Sequence, residues 1–237
     1  MTYHPLEKLR VPRPVDRIPY IARRCQGLRV LDLGAYDETE VDKPLHHSWT
    51  WLHAEIAKSA REVLGVDASP ALQAAGSLTT RAGTRIVYGQ VESLDGLVRE
   101  FKPDLIVAGE LIEHTPDTLG WLSALARTTP GIPLLATTPN TTSIINIGLA
   151  FLRRENCHPD HLQVYSFKTL STLAARVPLR EVSIVPYFYT SHLFQGRVPA
   201  ALAPAIGAID TLVLKPTQFL FPLTAFGLIL EGRLNSR

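Results

Sequence analysis

The 237-residue sequence contains only two cysteines, Cys25 and Cys157. Two cysteines cannot form the dense disulfide framework of a small secreted domain, and the first residues lack the apolar core of a signal peptide. We therefore expect a chain without disulfides that works in the reducing environment of the cytoplasm.

Long apolar runs are also missing. The most apolar stretch, residues 219–230, is about a dozen residues long and contains Pro222, whereas a helix needs ~20 residues to cross a bilayer. The sequence thus predicts no membrane span, and we expect a buried strand in this stretch.

The sequence has no excess of charge of one sign. Its 24 Lys and Arg residues nearly balance 22 Asp and Glu residues, and no basic run exceeds two residues. Because nucleic-acid-binding domains usually carry a concentrated basic patch, we expect no nucleic-acid partner and instead a small-molecule one. Whether the chain forms a homodimer stays open.

With 46% hydrophobic residues, the chain can bury one full-sized core. We expect a single domain over residues 1–237. It comprises a lead-in with a short helix over 1–27, a core over 28–140, and further helices and strands over 141–237.

Short apolar runs alternate along the chain with segments whose apolar residues have helical spacing. The runs lack polar alternation, which is typical of strands buried on both faces of a parallel sheet. The pattern predicts a doubly wound, Rossmann-like α/β fold. The predicted strands are 29–33, 62–66, 85–88, 104–107 and 133–137, and the predicted helices are 49–60, 70–79, 94–101 and 118–128. Later helices at 143–153 and 166–176 precede two β-rich runs, 181–189 and 218–231, which should add an antiparallel C-terminal edge to the mostly parallel sheet.

Ligands of doubly wound sheets bind beyond the carboxyl ends of the strands, and polar residues occur there in this sequence. The first predicted strand ends LDLGAYD, where Asp32 is charged and Gly34 permits a tight turn. The second ends GVDAS, with Asp67 at its tip. Each feature alone could be a turn glycine or a helix-capping acid. Together they indicate a nucleoside site in which a carboxylate holds the ribose hydroxyls.

The glycine-rich turn of dinucleotide-binding sites is missing. Gly34 is followed by AYDE, and the two acids in this segment would repel a pyrophosphate. They would be tolerated beside a cationic cofactor, and S-adenosylmethionine carries a sulfonium and an amino group in place of phosphates. We therefore expect S-adenosylmethionine, with Asp32 at its amino end and Asp67 at its ribose.

Five motifs, in order over about residues 30–175, resemble those of the class I S-adenosylmethionine-dependent methyltransferases. They are VLDLGAYD, GVDAS, VYGQVESL, FKPDLIVAGELIEH and PLLATTPN. The resemblance implies the class I methyltransferase fold and S-adenosylmethionine as cofactor. It assigns cofactor binding to Asp32, Gly34, Asp67, Ala68, Gln90, Val91 and Glu110. The first motif has one of the usual three glycines, and Gln90 replaces an acid, although its carbonyl oxygen can still accept from the adenine amine.

The segment GELIEH, followed by HPDHLQVYSFKTL, is similar to a narrower group within this family. That group includes ubiquinone-pathway O-methyltransferases and enzymes of polysaccharide and glycoside tailoring. We therefore expect an O-methyltransferase acting on a saccharide or glycoside hydroxyl. The alternatives are a phenolic or quinone-type acceptor, a non-catalytic cofactor-binding module, and a nicotinamide-dependent reductase on the same fold.

An alcohol acceptor must be made nucleophilic by a base or a metal. If a helix begins near Glu110, then Glu113 and His114 share its face with Glu110. One interpretation, which we favour, takes His114 or Glu110 as general base and His161 as the residue that orients the acceptor. The other takes Glu110, Glu113, His114 and His161 as ligands of a divalent ion such as Mg²⁺ or Mn²⁺, as a similar arrangement does in small-RNA 2′-O-methyltransferases. His158 is expected to be a surface histidine.

Overall fold

The computed structural model describes residues 6–37, 51–80, 82–91, 93–188 and 200–235. Most of the segment between Gly34 and the predicted helix 49–60, and the start of that helix, therefore lie outside the described residues. Within the described residues, eight strands form one sheet in the order β3-β4-β2-β1-β5-β6-β8-β7. The strands are β1 Arg29–Leu33, β2 Glu62–Asp67, β3 Ser77–Thr79, β4 Arg85–Tyr88, β5 Leu105–Gly109, β6 Pro133–Pro139, β7 Leu179–Tyr187 and β8 Gly227–Leu234.

Helices connect the strands. They are α1 Arg17–Cys25, α2 Leu52–Ser59, α3 Pro70–Ala75, α4 Asp95–Phe101, α5 Thr118–Thr128, α6 Ile144–Phe151, α7 Phe167–Ala174, α8 Ala203–Ile209 and α9 Lys215–Leu220. A π-helical turn, Asp210–Leu214, joins α8 to α9, and 3₁₀ turns lie at Ala200–Leu202 and Pro222–Thr224. Across the described ranges, none of the helices is both long enough and apolar enough to span a bilayer.

The five central strands of the sheet pair in parallel, in the order β4-β2-β1-β5-β6. The outer strands β3, β8 and β7 pair antiparallel to their neighbours. The predicted doubly wound fold with an antiparallel C-terminal edge is thus confirmed. The division into one domain of three parts stays a prediction.

Two predicted elements differ from the structure. The predicted helix 70–79 ends at Ala75, because Gly76 adopts a left-handed φ of 74°, and Ser77–Thr79 then pairs with β4. The predicted buried strand 219–230 is wrong in its first half. Phe219 lies in helix α9 and Phe221 in the bend that follows it, and both side chains are exposed. Pro222 lacks an N–H donor and begins a 3₁₀ turn, so the buried strand starts only at Gly227.

Side chains of β1 alternate between the two faces of the sheet. Leu31 and Leu33 join the larger core cluster with α5 and α7, and Val30 joins the cluster that includes Ile21 of α1 and Ile56 of α2. Asp32 has the parity of Val30, so its side chain is directed toward α1 and α2. The carboxyl ends of β1, β2, β5 and β6 meet at one edge of the sheet, where the strand order reverses at β1.

Gly65, in the middle of β2, provides a test of this packing. A Cβ at Gly65 would lie 2.8 Å from both the Ala35 Cβ and the Ile86 Cγ1, and 3.0 Å from the His53 Cε1. We expect Gly65→Ala to lower the free energy of unfolding by about 1–3 kcal/mol through overpacking, measured by urea denaturation. The matched control is Gly96→Ala in α4, where a Cβ meets nothing within 4 Å and stability should be unchanged or raised. Equal effects of the two substitutions would contradict this packing.

Candidate active site

The turn after β1 is built around Gly34. Its φ of 73° is left-handed, which favours glycine, and the N–H groups of Gly34 and Ala35 donate to the Val66 carbonyl oxygen at 2.9 and 3.3 Å. A Cβ at Gly34 would lie 3.3 Å from the Leu111 side chain. The predicted turn is therefore present, and it lies against the segment that follows β5.

Asp32 is buried and paired. Its Oδ2 lies 2.9 Å from Nδ1 of His53, whose Nε2 lies 3.0 Å from the Thr84 hydroxyl. Asp32 and His53 are only 2% and 1% exposed, so the pair fixes α2 against β1. The predicted contact between Asp32 and the amino end of the cofactor stays a prediction.

Asp67 is at the tip of β2, as predicted. One carboxylate oxygen accepts from the Tyr36 N–H at 3.0 Å and the other from the Ser69 N–H at 2.9 Å. Burial raises the pKa of Asp67, and these backbone donors counteract the effect. Each oxygen keeps a second lone pair with which it can accept from a ribose hydroxyl.

The remaining residues assigned to the cofactor lie near this edge of the sheet. Ala68 and Gln90 are exposed and Val91 is half-buried. The Val91 carbonyl accepts from the Trp121 indole N–H at 2.9 Å. This bond holds the segment after β4 against α5, and the assignment of all three residues to cofactor binding stays a prediction.

A cavity of about 150 Å³ opens between the turn after β1 and the end of β5. Asp32, Gly34, Asp37 and Glu110 line it, together with Arg17 from α1. We call it the methionyl cavity, because the sequence predicts the amino end of the cofactor beside Asp32, which lines it. Sequence reasoning missed Arg17, because its place at this site depends on the packing of α1 against α2, which no local motif indicates.

Glu110 is the first residue after β5 and has a left-handed φ of 54°. Its Oε1 accepts from the Thr137 hydroxyl at 2.8 Å and from the Tyr187 hydroxyl at 2.9 Å. Nη2 of Arg17 lies 3.8 Å from the same oxygen and 3.0 Å from the Thr137 hydroxyl. The carboxylate is therefore held at the methionyl cavity by groups from α1, β6 and β7.

The predicted helix beginning near Glu110 is wrong. Residues 110–114 form turns, and helix α5 begins only at Thr118, where the Asp117 side chain accepts from the Gly120 N–H. The left-handed φ of Glu110 is incompatible with a helical start. Glu110 and Glu113 consequently face different surroundings and do not share a helix face.

Glu113 is 1% exposed. Neither of its carboxylate oxygens has a hydrogen-bond partner among the residues that the structure describes. Burial, followed by the charge of Glu110, raises the pKa of Glu113 from an ordinary 4.5 to about 8. A buried, unpaired carboxylate is costly, so this position is suited to binding a cation or a proton.

Three of the four predicted metal ligands lie together. Ligand atoms of Glu113, His114 and His161 are all within 4.8 Å of one another, and the rings of the two histidines are 4.6 Å apart at their centroids. Glu110 is not a member of this group in the described part of the chain. His158 is exposed at the surface, as expected, and its ring lies 5.9 Å from that of His114 and 5.8 Å from that of His161.

Both histidines of the group favour the neutral form. The pKa of His114 is lowered by burial and then by the charge of His158. The pKa of His161 is lowered by burial and then by the charges of His114 and His158. A neutral imidazole can accept a proton or ligate a metal, so this electrostatic environment suits either chemistry.

Backbone hydrogen bonds attach the loop that carries His158 and His161 to the turn after β5. The N–H groups of Leu162 and Gln163 donate to the Glu113 carbonyl oxygen at 2.9 and 3.1 Å. The Gln163 amide donates to the Thr115 carbonyl at 2.9 Å, and its own oxygen accepts from the Tyr165 hydroxyl at 2.5 Å. His161 is thereby placed next to His114, although 47 positions separate them in the sequence.

A second cavity, of about 600 Å³, lies on the other side of this turn. Glu113 and His161 line it, together with Thr138 and Pro139 of β6, Thr141, and side chains of α6 and of the loop after α6. We call it the acceptor-side cavity. Glu110 thus borders the methionyl cavity, and Glu113, three residues later, borders the acceptor-side cavity.

Comparison with known proteins supports the fold. The structure is similar to that of an S-adenosylmethionine-dependent methyltransferase from Archaeoglobus fulgidus, with a TM-score of 0.51 and 15% identity over 91% of this chain and 90% of that one. It is also similar to a small RNA methyltransferase, with a TM-score of 0.56 and 14% identity over 98% of this chain but only 27% of that one. No protein-family model matches the sequence, and no curated protein matches it significantly. At these identities, the similarity shows a shared fold.

The raised pKa of Glu113 predicts a pH-dependent stability. Between pH 4.5 and about 8, the folded protein retains a proton that the unfolded chain has lost, so stability falls as the pH rises through this window. We expect Glu113→Gln, in EDTA, to raise Tm by about 5 °C at pH 8.5 and to leave it unchanged at pH 4.5, measured by calorimetry.

The control for this prediction is Glu100→Gln, since Glu100 is exposed on α4. It should shift Tm little at either pH. Parallel Tm curves for the wild type and Glu113→Gln across the whole pH range would show that Glu113 is not perturbed.

Proposed function

We propose that the protein is an S-adenosylmethionine-dependent O-methyltransferase whose acceptor is a saccharide or glycoside hydroxyl. The observation that carries the proposal is the turn after β5, which borders the methionyl cavity through Glu110 and the acceptor-side cavity through Glu113. A methyl donor and an acceptor bound in these cavities would meet at this turn. The shared fold with methyltransferases supports the same conclusion.

The charges around the methionyl cavity suit the donor. Asp32, Asp37 and Glu110 complement the ammonium and sulfonium groups, and Arg17 complements the carboxylate. Asp67 is positioned for the ribose, and Gln90 and Val91 for the adenine. A pyrophosphate would instead meet three carboxylates, which disfavours a nicotinamide-dependent reductase.

Methyl transfer is an in-line displacement. The acceptor oxygen attacks the methyl carbon, the carbon–sulfur bond breaks, and S-adenosylhomocysteine leaves as a neutral thioether. The hydroxyl proton passes to a base, a role that we assign to neutral His114, while His161, which lines the acceptor-side cavity, orients the acceptor. The chain's main contribution is alignment of the two reactants.

A divalent ion fits the same group. Glu113 supplies a buried carboxylate without a partner among the described residues, and His114 and His161 supply two neutral imidazoles. This donor set suits Mn²⁺ or Zn²⁺ as well as Mg²⁺. A bound ion would lower the pKa of the acceptor hydroxyl, and we retain Glu110 as a fourth ligand only as a prediction.

Three alternatives remain for comparison in experiments. A phenolic or quinone-type acceptor would use the same donor site, and a non-catalytic binding module would need neither His114 nor His161. A small RNA is a further candidate, favoured by the Glu113, His114 and His161 group and by the fold shared with a small RNA methyltransferase. Its case is weakened by the balanced charge of the chain.

The decisive experiment is calorimetry with S-adenosylhomocysteine in the presence and absence of EDTA. We expect binding in both conditions. Absence of binding in both would overturn the proposal, whereas EDTA-sensitive turnover with EDTA-insensitive binding would favour the metal interpretation over the base.

Arg17 can be tested with a pair of ligands. Arg17→Gln should weaken S-adenosylhomocysteine binding about tenfold, as loss of one charge-assisted hydrogen bond does. It should leave methylthioadenosine binding unchanged, because that ligand lacks the amino-acid group. Arg127→Gln, exposed on α5, is the control. Equal weakening of both ligands would indicate a general structural effect and contradict the role assigned to Arg17.

His114 can be tested by turnover. His114→Ala should reduce methyl transfer to an oligosaccharide panel by at least ~100-fold and keep S-adenosylhomocysteine affinity intact. His158→Ala is the matched comparison, since His158 is not in the group within 4.8 Å, and it should cost far less. Turnover retained in His114→Ala would exclude the proposed role.

A further inference from the structure

The acceptor-side cavity contains an unusual concentration of unsatisfied polar atoms. Both carboxylate oxygens of Glu113, the Thr138 hydroxyl that interacts with this carboxylate, and the Asn146 side-chain oxygen are buried without a hydrogen bond of normal geometry among the described residues. All three residues line this cavity. Because buried polar groups in folded proteins are nearly always paired, the cavity is suited to a polar ligand rich in hydroxyl groups.

The orientation of Asn146 is fixed by its neighbours. Its side-chain nitrogen donates to the Asn140 carbonyl oxygen at 3.1 Å, and its backbone N–H is held by the Ser143 hydroxyl at 3.2 Å. The side-chain oxygen is therefore the atom left to accept a hydrogen bond. A sugar hydroxyl could donate this bond, which an aromatic edge could not.

Two arginines, Arg153 and Arg154, also line the cavity. The turn after α6 places them there, since the N–H of Arg153 donates to the Ala150 carbonyl at 3.0 Å and that of Arg154 to the Leu149 carbonyl at 2.9 Å. Neither side chain forms an ion pair within the described part of the chain. Glu155 also lines the cavity, so the three consecutive residues 153–155 carry a net positive charge of one. Two guanidinium groups in one turn can bind an oxyanion bidentately.

We propose that the acceptor is a small anionic sugar, whose phosphate or carboxylate is bound by Arg153 and Arg154 while one of its hydroxyls reaches Glu113 and His161. This inference rests on the proposed function and narrows its substrate class. The volume of about 600 Å³ lies in the range of small-molecule pockets and favours a monosaccharide or disaccharide over an RNA. A phenol with a single hydroxyl would leave most of these buried polar atoms unpaired.

The test begins with inorganic phosphate as the probe. Protein saturated with S-adenosylhomocysteine, in EDTA, is titrated with phosphate and followed by NMR. We expect millimolar binding that Arg153→Gln/Arg154→Gln weakens by about tenfold or more. Arg127→Gln should leave it unchanged, since Arg127 does not line the cavity.

Competition then identifies the ligand class. Hexose phosphates and uronates should displace phosphate better than neutral hexoses do, and the stronger of the two anionic sets distinguishes a phosphate from a carboxylate. Phosphate binding that does not depend on the arginine pair, equal displacement by neutral sugars, or stronger displacement by a short oligoribonucleotide would each overturn the inference.

The affinity for S-adenosylhomocysteine is measured on the same samples. Absence of S-adenosylhomocysteine binding would refute the proposed function. Binding of S-adenosylhomocysteine without arginine-dependent phosphate binding would refute only this inference.

Discussion

The reversal of strand order at β1 is the constraint on which the rest of the structure depends. Because β2 and β5 flank β1 in parallel, the chain leaves all three strands at the same edge of the sheet. The turns that follow must then share one space, and the polar residues at their tips are brought together without any direct link in sequence. The Val66 carbonyl, which accepts from the turn after β1, and Leu111, which packs against Gly34, are the contacts that hold these turns in place.

Much of the fold could be predicted from the sequence, because strands buried on both faces lack polar alternation. RVLDL and RIVY match β1 and β4 residue for residue. The positions of Gly34 and Asp67 were predictable for a related reason, since Gly34 directly follows β1 and Asp67 ends β2. The exposed run around Phe219 could not be assigned correctly, because apolar composition alone does not distinguish a buried strand from a helix that leaves its apolar side chains in solvent.

The acceptor side was predicted less well, and the reasons are long-range. The turn at 110–114 depends on the left-handed φ of Glu110, which is fixed by hydrogen bonds to Thr137 and Tyr187, 27 and 77 positions away. Arg17 reaches the site only because α1 packs against α2. The residues of the histidine group were nevertheless identifiable, since their chemistry was visible in the sequence even though their common location was not.

Tyr187 and Gly227 connect this site to the antiparallel edge of the sheet. They are register partners in the last strand pair, and a Cβ at Gly227 would overlap the Tyr187 ring. The missing side chain thus gives the phenol room to reach Glu110. The Tyr187 hydroxyl that holds Glu110 therefore depends on the pairing of β7 with β8, a strand that begins 40 positions after Tyr187 in the sequence. The geometry of the turn after β5 is in this way coupled to the closing of the antiparallel edge of the sheet.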